Sequence, residues 1–351
     1  MDPLTHTLVG ANLSATRLGE KTRLAAAALV IGANLPDVDG ITYFIDSDLA
    51  LGFRRGWTHG VLALLLLPLM QTALLMVWAR LRPDPSRRVD ARWLLALSAI
   101  GIWSHPFLDW LNTYGMRWLM PFSGRWFYGD SVYIMDPWLW LVLGAAWMIG
   151  RRPTLWLVAA WGTFTFLIVR IVVRRSPEYL WIVALVALVL LAALVWKRGG
   201  MPSGSVQRFA TAGVVVAALY VAARLLVHDV TETKVSRELV EDGVTPVERL
   251  MVGPHPLDPL RWTVIAESSG VYRFGEFDWR NGLTLESTQI TAAKDSPEYR
   301  AARQDPAVCG FVTWTRFPAY EIERHGEETH VRMFDARWAR RPGRGNVVVL
   351  R

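Results

Sequence analysis

The sequence predicts a mostly α fold, a polytopic helical membrane bundle carrying a small C-terminal α+β soluble domain. Three observations predict it. Hydrophobic residues make up 52% of the 351-residue chain, and its mean hydropathy of +0.23 is too apolar for an ordinary soluble enzyme. The 18 tryptophans gather near the ends of long apolar runs, as an interfacial belt requires. Beyond Val227 the composition turns to charged residues with alternating apolar positions.

The chain opens with two short apolar runs, residues 4–17 and Leu24–Ala33, separated by Arg17, Glu20, Lys21 and Arg23. Neither reaches the ~20 residues that cross a bilayer, so they predict a hairpin of short helices packed against longer ones. Pro36 disfavours helix at the residue before it, and residues 37–60 read as a polar, glycine-containing loop region. Long apolar segments follow at 61–80, 93–111, 137–150, 154–173, 179–196 and 208–227. Residues 1–150 are expected to form a membrane-embedded metal-site domain, 151–227 additional transmembrane helices, and 228–351 a soluble α+β domain. In the last part, strands are expected in Trp262–Glu267, Val271–Phe277, Phe311–Ile322, Thr329–Phe334 and Asn346–Leu350, with a serine-capped helix at Ser296–Gln304.

Arg82, Arg87, Arg88 and Arg92, then Arg151 and Arg152, then Lys197, Arg198 and Arg208 mark alternate loops as cytoplasmic. Arg174 and Arg175 fall on the other side but are outnumbered, which places the C-terminal domain outside the cytoplasm. The net charge of +7 therefore reads as topology and contact with anionic lipid, and no nucleic-acid partner is expected. A lone cysteine, Cys309, excludes an intrachain disulfide and a cysteine-based zinc site. The start MDPLTHTLVG has no basic region before its apolar residues, so no cleavable signal peptide is expected.

The chemistry-bearing side chains fall in four clusters within the first 110 residues. They are His6; Asp37 and Asp39 in Asn34-Leu-Pro-Asp-Val-Asp-Gly40; His59 in Arg55-Gly-Trp-Thr-His-Gly60; and the pair His105 and Asp109. That pair lies four positions apart, on one face of a helix, and burying it is costly without compensation. Neutral imidazoles and carboxylates ligate zinc or manganese, which would supply that compensation. Singly, each has a structural use: a surface histidine, turn and capping aspartates after Pro36, an interfacial histidine at a helix start, and a His–Asp bond between helices.

Topology favours convergence. The segment 61–80 runs from His59 to the basic loop 82–92 and the segment 93–111 returns, so His59 and Asp109 share a membrane face. A hairpin of the N-terminal helices with its basic turn at the opposite face brings His6, Asp37 and Asp39 there too. Three imidazoles and three carboxylates exceed one closed tetrahedral site, which points to a catalytic site with open positions and one or two metal ions. Arg117 and Arg125, in the loop 112–137 at that same face, are candidate substrate contacts able to grip a phosphate; for Arg125 an ordinary interfacial arginine serves equally well. Asp136 reads as a further metal ligand or an N-cap before Pro137, with the cap favoured. His325 and His330 flank a turn and read as surface cross-strand neighbours, while His255 sits between two prolines.

His6-Thr7, Asn34-Leu-Pro-Asp-Val-Asp39, Gly56-Trp-Thr-His59 and Ser104-His-Pro-Phe-Leu-Asp-Trp-Leu-Asn-Thr-Tyr-Gly115 resemble the membrane-bound, predicted metal-dependent hydrolases of the LexA-regulated inner-membrane group. The resemblance covers residues 1 to about 150 and continues less distinctly into Gly253–Trp262. More distantly, the order of His, Pro-Asp, His and His-x-x-x-Asp is similar to zinc-dependent phospholipases C and fungal single-strand nucleases. Those relatives carry a second His-x-x-x-Glu or Asp pair downstream that is missing here, so a full trinuclear cluster is not expected.

The resemblance implies a hydrolase of the bacterial inner membrane that uses a divalent metal, zinc or manganese, and acts on a phosphoester or lipid-linked substrate. Asp37, Asp39, His59, His105, Asp109 and His6 are its expected ligands, with Asp37 or Asp39 as general base. The alternative is a membrane protein that binds or transports a divalent cation without hydrolysis, and a third is a structural anchor for the C-terminal domain.

Overall fold

The computed structural model describes residues 1–149, 163, 204–292, 296–338 and 346–350. Helix α1 (Pro3–Ala15) starts where the Asp2 carboxylate accepts from the backbone N–H groups of Leu4 and Thr5, at 3.0 and 3.1 Å, with Pro3 at its first position. Helix α2 (Ala25–Gly32) has alanine or glycine at five of its eight positions, and that composition sets the architecture. A Cβ on Gly10 of α1 would lie 2.8 Å from the Leu29 carbonyl oxygen of α2. A Cβ on Gly101 of α5 (Ala91–Trp110) would lie 2.9 Å from that same oxygen. Two glycines thus let α1 and α5 close on α2 from both sides, with Ala25, Ala28, Leu29, Leu94 and Leu97 buried between them.

After α2 the chain follows a 3₁₀ segment, Leu35–Phe44, then α3 (Ser47–Phe53), then α4 (Val61–Leu81). The expected hairpin is present: α1 and α2 turn back through Arg17–Arg23, whose backbone bonds to the loop joining α4 to α5, as in Arg23 N–H to the Arg88 carbonyl at 3.1 Å. Most of α4 is bare apolar surface, including Leu65, Leu69, Leu74, Val77 and Trp78. Its one buried amide, Gln71, donates to the Ala28 carbonyl at 2.8 Å.

The polytopic bundle predicted from the sequence is corrected. Among the described residues two helices are long and apolar enough to cross a membrane, α4 and α7 (Ser205–Glu241). The run at 93–111 became α5, which carries Arg92, His105 and Asp109 and buries Leu94, Leu97, Ile102 and Leu108 against its neighbours. The run at 137–150 is α6 (Pro137–Ile149) over its described residues, packed on α1 and α7 through Leu139 and Leu143. Apolar length alone does not separate a lipid-facing helix from a packed one. The runs at 154–173 and 179–196, with the charged loops beside them, lie outside the described residues.

Helix α7 crosses position 227 without a break. Its first half packs on α1 and α6 through Ala217 and Val221, and its second half supports a sheet through Val235 and Leu239. That sheet is an antiparallel meander of β1 (Arg249–Pro254), β2 (Arg261–Ser268), β3 (Val271–Asp278) and β4 (Gly282–Thr291). Ser269 and Gly270, both at positive φ, make the two-residue turn between β2 and β3. After α8 (Pro297–Ala302), capped by Ser296 as expected, comes α9 (Cys309–Trp314) and a second antiparallel sheet of β5 (Pro318–His325), β6 (Glu328–Asp335) and β7 (Asn346–Leu350). Phe311–Trp314, expected as strand, is helical because Asp48 of α3 accepts from the Gly310 and Phe311 N–H groups, at 2.6 and 2.7 Å.

The sheets dock on the loop between α5 and α6. Arg316 pairs with Asp130 at 2.8 Å, Arg337 donates to the Thr113 carbonyl at 2.7 Å, and the Trp126 indole donates to the Thr313 carbonyl at 2.7 Å.

Candidate metal centre

The close approach of α1, α2 and α5 brings His6 and His105 into a ring stack with centroids 3.7 Å apart. The 3₁₀ segment after α2 delivers Asp37 and Asp39 beside them, and the turn before α4 delivers His59. Four donor atoms, one each from Asp37, His59, His105 and Asp109, lie within 4.8 Å of one another. His59 Nε2 is 3.4 Å from Asp109 Oδ2 and 3.9 Å from Asp37 Oδ1. His105 Nε2 is 3.6 Å from each of the same two oxygens. Ligands held about 2.0–2.2 Å from a tetrahedral zinc ion are about 3.3–3.6 Å apart, a range that three of these four distances meet and the 3.9 Å one exceeds.

The donors also fit chemically. His59 Nε2 and His105 Nε2 are buried and have no hydrogen-bond partner, and both turn toward Asp109 Oδ2, which pairs with Arg55. Buried polar atoms are rarely left so, and a cation shared with the carboxylates would satisfy both nitrogens. Only Asp37 keeps an exposed side, at 20% of its side-chain surface, so the cluster is closed except there.

The other predicted residues take different places. His6 approaches from behind, with Nε2 3.3 Å from Asp109 Oδ1. Asp39 stands behind His59, its Oδ2 3.3 Å from His59 Nδ1, and accepts from the Arg55 N–H and the Thr58 hydroxyl, both at 3.0 Å. A carboxylate in that position orients a histidine whose other nitrogen faces a metal. Arg117 is turned away: its guanidinium donates to the carbonyls of Gly52 and Arg54, at 2.6 and 3.1 Å, and lies over Trp126. Arg125 is exposed over the Phe127 ring and has no contact with the cluster among the described residues. Asp136 caps α6, accepting from Trp138 N–H and Leu139 N–H. His325 and His330 are the expected cross-strand neighbours, and His255 Nδ1 closes a local turn by accepting from Asp258 N–H at 3.1 Å.

Sequence reasoning missed the two arginines before Gly56. Arg55, in a left-handed backbone conformation with φ 52°, lays its guanidinium along Asp109, with Nη2 3.0 Å from Oδ1 and Nε 2.9 Å from Oδ2. The buried amino group of Met1 meets the same carboxylate. Arg54 Nη2 donates to Asp37 Oδ1 at 2.8 Å, and its Nε lies 3.5 Å from Asp39 Oδ1. Two arginines in a stretch already holding His59 and two aspartates were the available signal.

Electrostatics keep the donors in ligand form. Burial would raise the Asp37 carboxyl, but its neighbours His105 and then Arg54 outweigh it and hold it well below the usual carboxylate range. Asp39 behaves likewise, with burial overcome by His59 and Arg54. Burial lowers His59 below the ordinary imidazole value despite Asp39 and Asp37, and lowers His6 with help from His105 and Arg55. The carboxylates are therefore charged and these imidazoles neutral near pH 7.

A family model described as YdjM inner membrane protein matches residues 1–200, more than half of the chain and the whole of the cluster. The chain belongs to that family. YdjM proteins are named as inner-membrane proteins, in agreement with α4 and α7 as candidate spans. The chain is also similar to the uncharacterized protein YfhP of Bacillus subtilis (strain 168), at 19% identity over 348 residues, covering 96% of this chain and 87% of the relative. No solved structure matches.

Proposed function

We propose that this YdjM-family protein is a membrane-bound metal-dependent hydrolase acting on a phosphoester or lipid-linked substrate at the membrane face. One observation carries the proposal: the donor cluster of Asp37, His59, His105 and Asp109, in which two buried imidazole nitrogens have no hydrogen-bond partner. When bound there, zinc or manganese supplies Lewis acidity toward water and toward an ester oxygen. Asp37, through its exposed side, is placed to accept a proton from water. Asp39 orients His59, and Arg55 holds Asp109 in register with both histidines.

The phosphoester part rests on resemblance. Transport of a cation is supported less, because the donors gather at the start of α4 and the end of α5, whereas transport sites lie near the midplane. The C-terminal sheets are proposed to lie outside the cytoplasm; a reporter fused after Arg351 would read extracytoplasmic, and a cytoplasmic signal would overturn that orientation.

The test is release of phosphate or headgroup from vesicles of phosphatidic acid, phosphatidylglycerol and polyprenyl phosphate. Release that stops with chelator, returns with zinc or manganese and is absent in His105→Ala supports the proposal. No release from any of them by metal-loaded protein overturns it.

A further inference from the structure

The 3₁₀ segment Leu35–Phe44 is patterned the opposite way from a helix on a water-facing surface. Three residues per turn put every third side chain on one face. Pro36, Asp39 and Thr42 make the buried face, which holds the carboxylate behind His59. Val38, Ile41 and Phe44 make the outer face, all apolar and all exposed, Phe44 at 91%. An exposed apolar strip of this kind marks a surface that meets something other than water.

The surroundings extend the strip. His59 Nε2 lies 3.9 Å from Asp37 Oδ1, which holds the segment at the level where α4 begins. Trp57, in the turn before α4, is half-exposed. The Val61 N–H donates to the Trp118 carbonyl at 2.8 Å, so the loop after α5 lies against the first turn of α4. That loop exposes Leu119 and Phe122, the latter at 81%. Leu62 and Leu65 carry the exposed apolar surface on along α4, a candidate span in a family of inner-membrane proteins. Tyr43, on the adjoining face of the segment, has the Arg54 guanidinium over its ring at 5.4 Å, an aromatic and a cation of the kind that settle at headgroup depth.

We infer that Val38, Ile41 and Phe44, with Trp57, Leu119 and Phe122, form a rim that dips into the bilayer without crossing it, seated where headgroups meet acyl chains. Lipid is the occupant because the rim is continuous with the exposed side of α4 and its outer face carries no charge from Val38 to Phe44. Asp37, the cluster's one partly exposed donor, directly precedes Val38, so the open side of the cluster lies at headgroup level. The substrate is then a bilayer lipid that reaches the site laterally; this last step rests on the hydrolase reading, and the rim does not.

The test uses full-length protein carrying Cys309→Ser, which removes the lone cysteine, reconstituted in vesicles of phosphatidylethanolamine and phosphatidylglycerol. Nitroxide labels are attached singly through Phe44→Cys, Phe122→Cys, Leu69→Cys and Ser86→Cys. Oxygen gathers in hydrocarbon and a nickel chelate stays in water, so spin relaxation by each reports where a label sits. Leu69, on the exposed side of α4, is the lipid reference, and Ser86, in the loop after α4, the water reference. Labels replacing Phe44 and Phe122 should favour oxygen as the label at Leu69 does. Labels that favour the chelate, like that at Ser86, put the rim in water; labels reached by neither put a second copy or another protein over it; both results overturn the inference. Headgroup release from vesicular and from dispersed short-chain phosphatidic acid is measured on the same preparations, and Phe44→Asp should lower the ratio of the two rates about tenfold. Labels in lipid with no release from either form keep the rim and sink the hydrolase reading. Labels in lipid with an unchanged ratio keep the rim as an anchor and sink lateral delivery.

Discussion

The Nδ1–H of His105 donates to the Ala33 carbonyl oxygen at 2.7 Å, tying α5 to the end of α2. That bond sets the imidazole tautomer and leaves Nε2 as a bare acceptor turned toward Asp37 and Asp109. His59 is arranged the same way, with Nδ1 toward Asp39 and the Thr58 hydroxyl and Nε2 toward the cluster.

Asp39 acts through His59 in this arrangement, so Asp39→Asn should keep all four donors yet lower zinc affinity about 10- to 100-fold. Competition against a chromophoric chelator reads the change directly. Affinity equal to wild type would show that Asp39 only shapes the loop.

Gly101 is required by contact, since any Cβ there meets backbone of α2 at 2.9 and 3.1 Å. Gly101→Ala should therefore destabilise the protein by about 1–3 kcal/mol even though alanine is the better helix former. Thermal unfolding in detergent should show a lower midpoint, together with reduced metal content as α5 is pushed from α2. An unchanged midpoint would mean that the helices are less closely packed than the structure has them.

The two arginines expected to hold substrate should separate. Arg117→Ala removes buried hydrogen bonds to the Gly52 and Arg54 carbonyls and should cost about 2 kcal/mol of stability. Arg125→Ala, on an exposed side chain, should stay within about 0.5 kcal/mol of wild type and leave phosphate binding unaltered. Loss of binding in Arg125→Ala with stability intact would restore it as a substrate contact.

Asp335 ties the second sheet to its approach, accepting from the Thr315 hydroxyl and the Arg316 N–H and pairing with Arg337. Burial would raise its carboxyl, but the Arg337 charge and these bonds lower it from an ordinary 3.8 to about 2. A depressed carboxylate stabilises the fold above its unfolded value and loses that contribution as pH falls through its folded value. The loss should amount to about 2 kcal/mol between pH ~4 and ~2, and Asp335→Asn should be less stable than wild type at pH 7 by a similar amount. Denaturation curves at pH 7 and pH 3 check the sign; a wild-type-to-variant gap that widens with acid would contradict it.

Much of the cluster was legible before any coordinates. The spacing of His105 and Asp109, and a hairpin returning to the level of His59, suffice to bring the donors to one face. Strands β2, β3, β6 and β7 follow the alternation of their residues. The number of spans was not legible, because Leu94, Leu97 and Ile102 of α5 are as apolar as the exposed leucines of α4 yet pack against protein. Phe311–Trp314 shows the limit for short runs, where a contact with Asp48 over 260 positions away in sequence decides helix over strand. Arg54 and Arg55 were hidden for the same reason: only the folded chain shows which arginines face the carboxylates.

Metal content of the purified full-length protein, measured by elemental mass spectrometry for wild type, His59→Ala and His105→Ala, tests the central claim most directly. Near-stoichiometric zinc or manganese in wild type, falling to a small residue in both variants while each still folds, is the predicted result. A folded wild-type protein that takes up neither ion, or variants that keep as much as wild type, would contradict it.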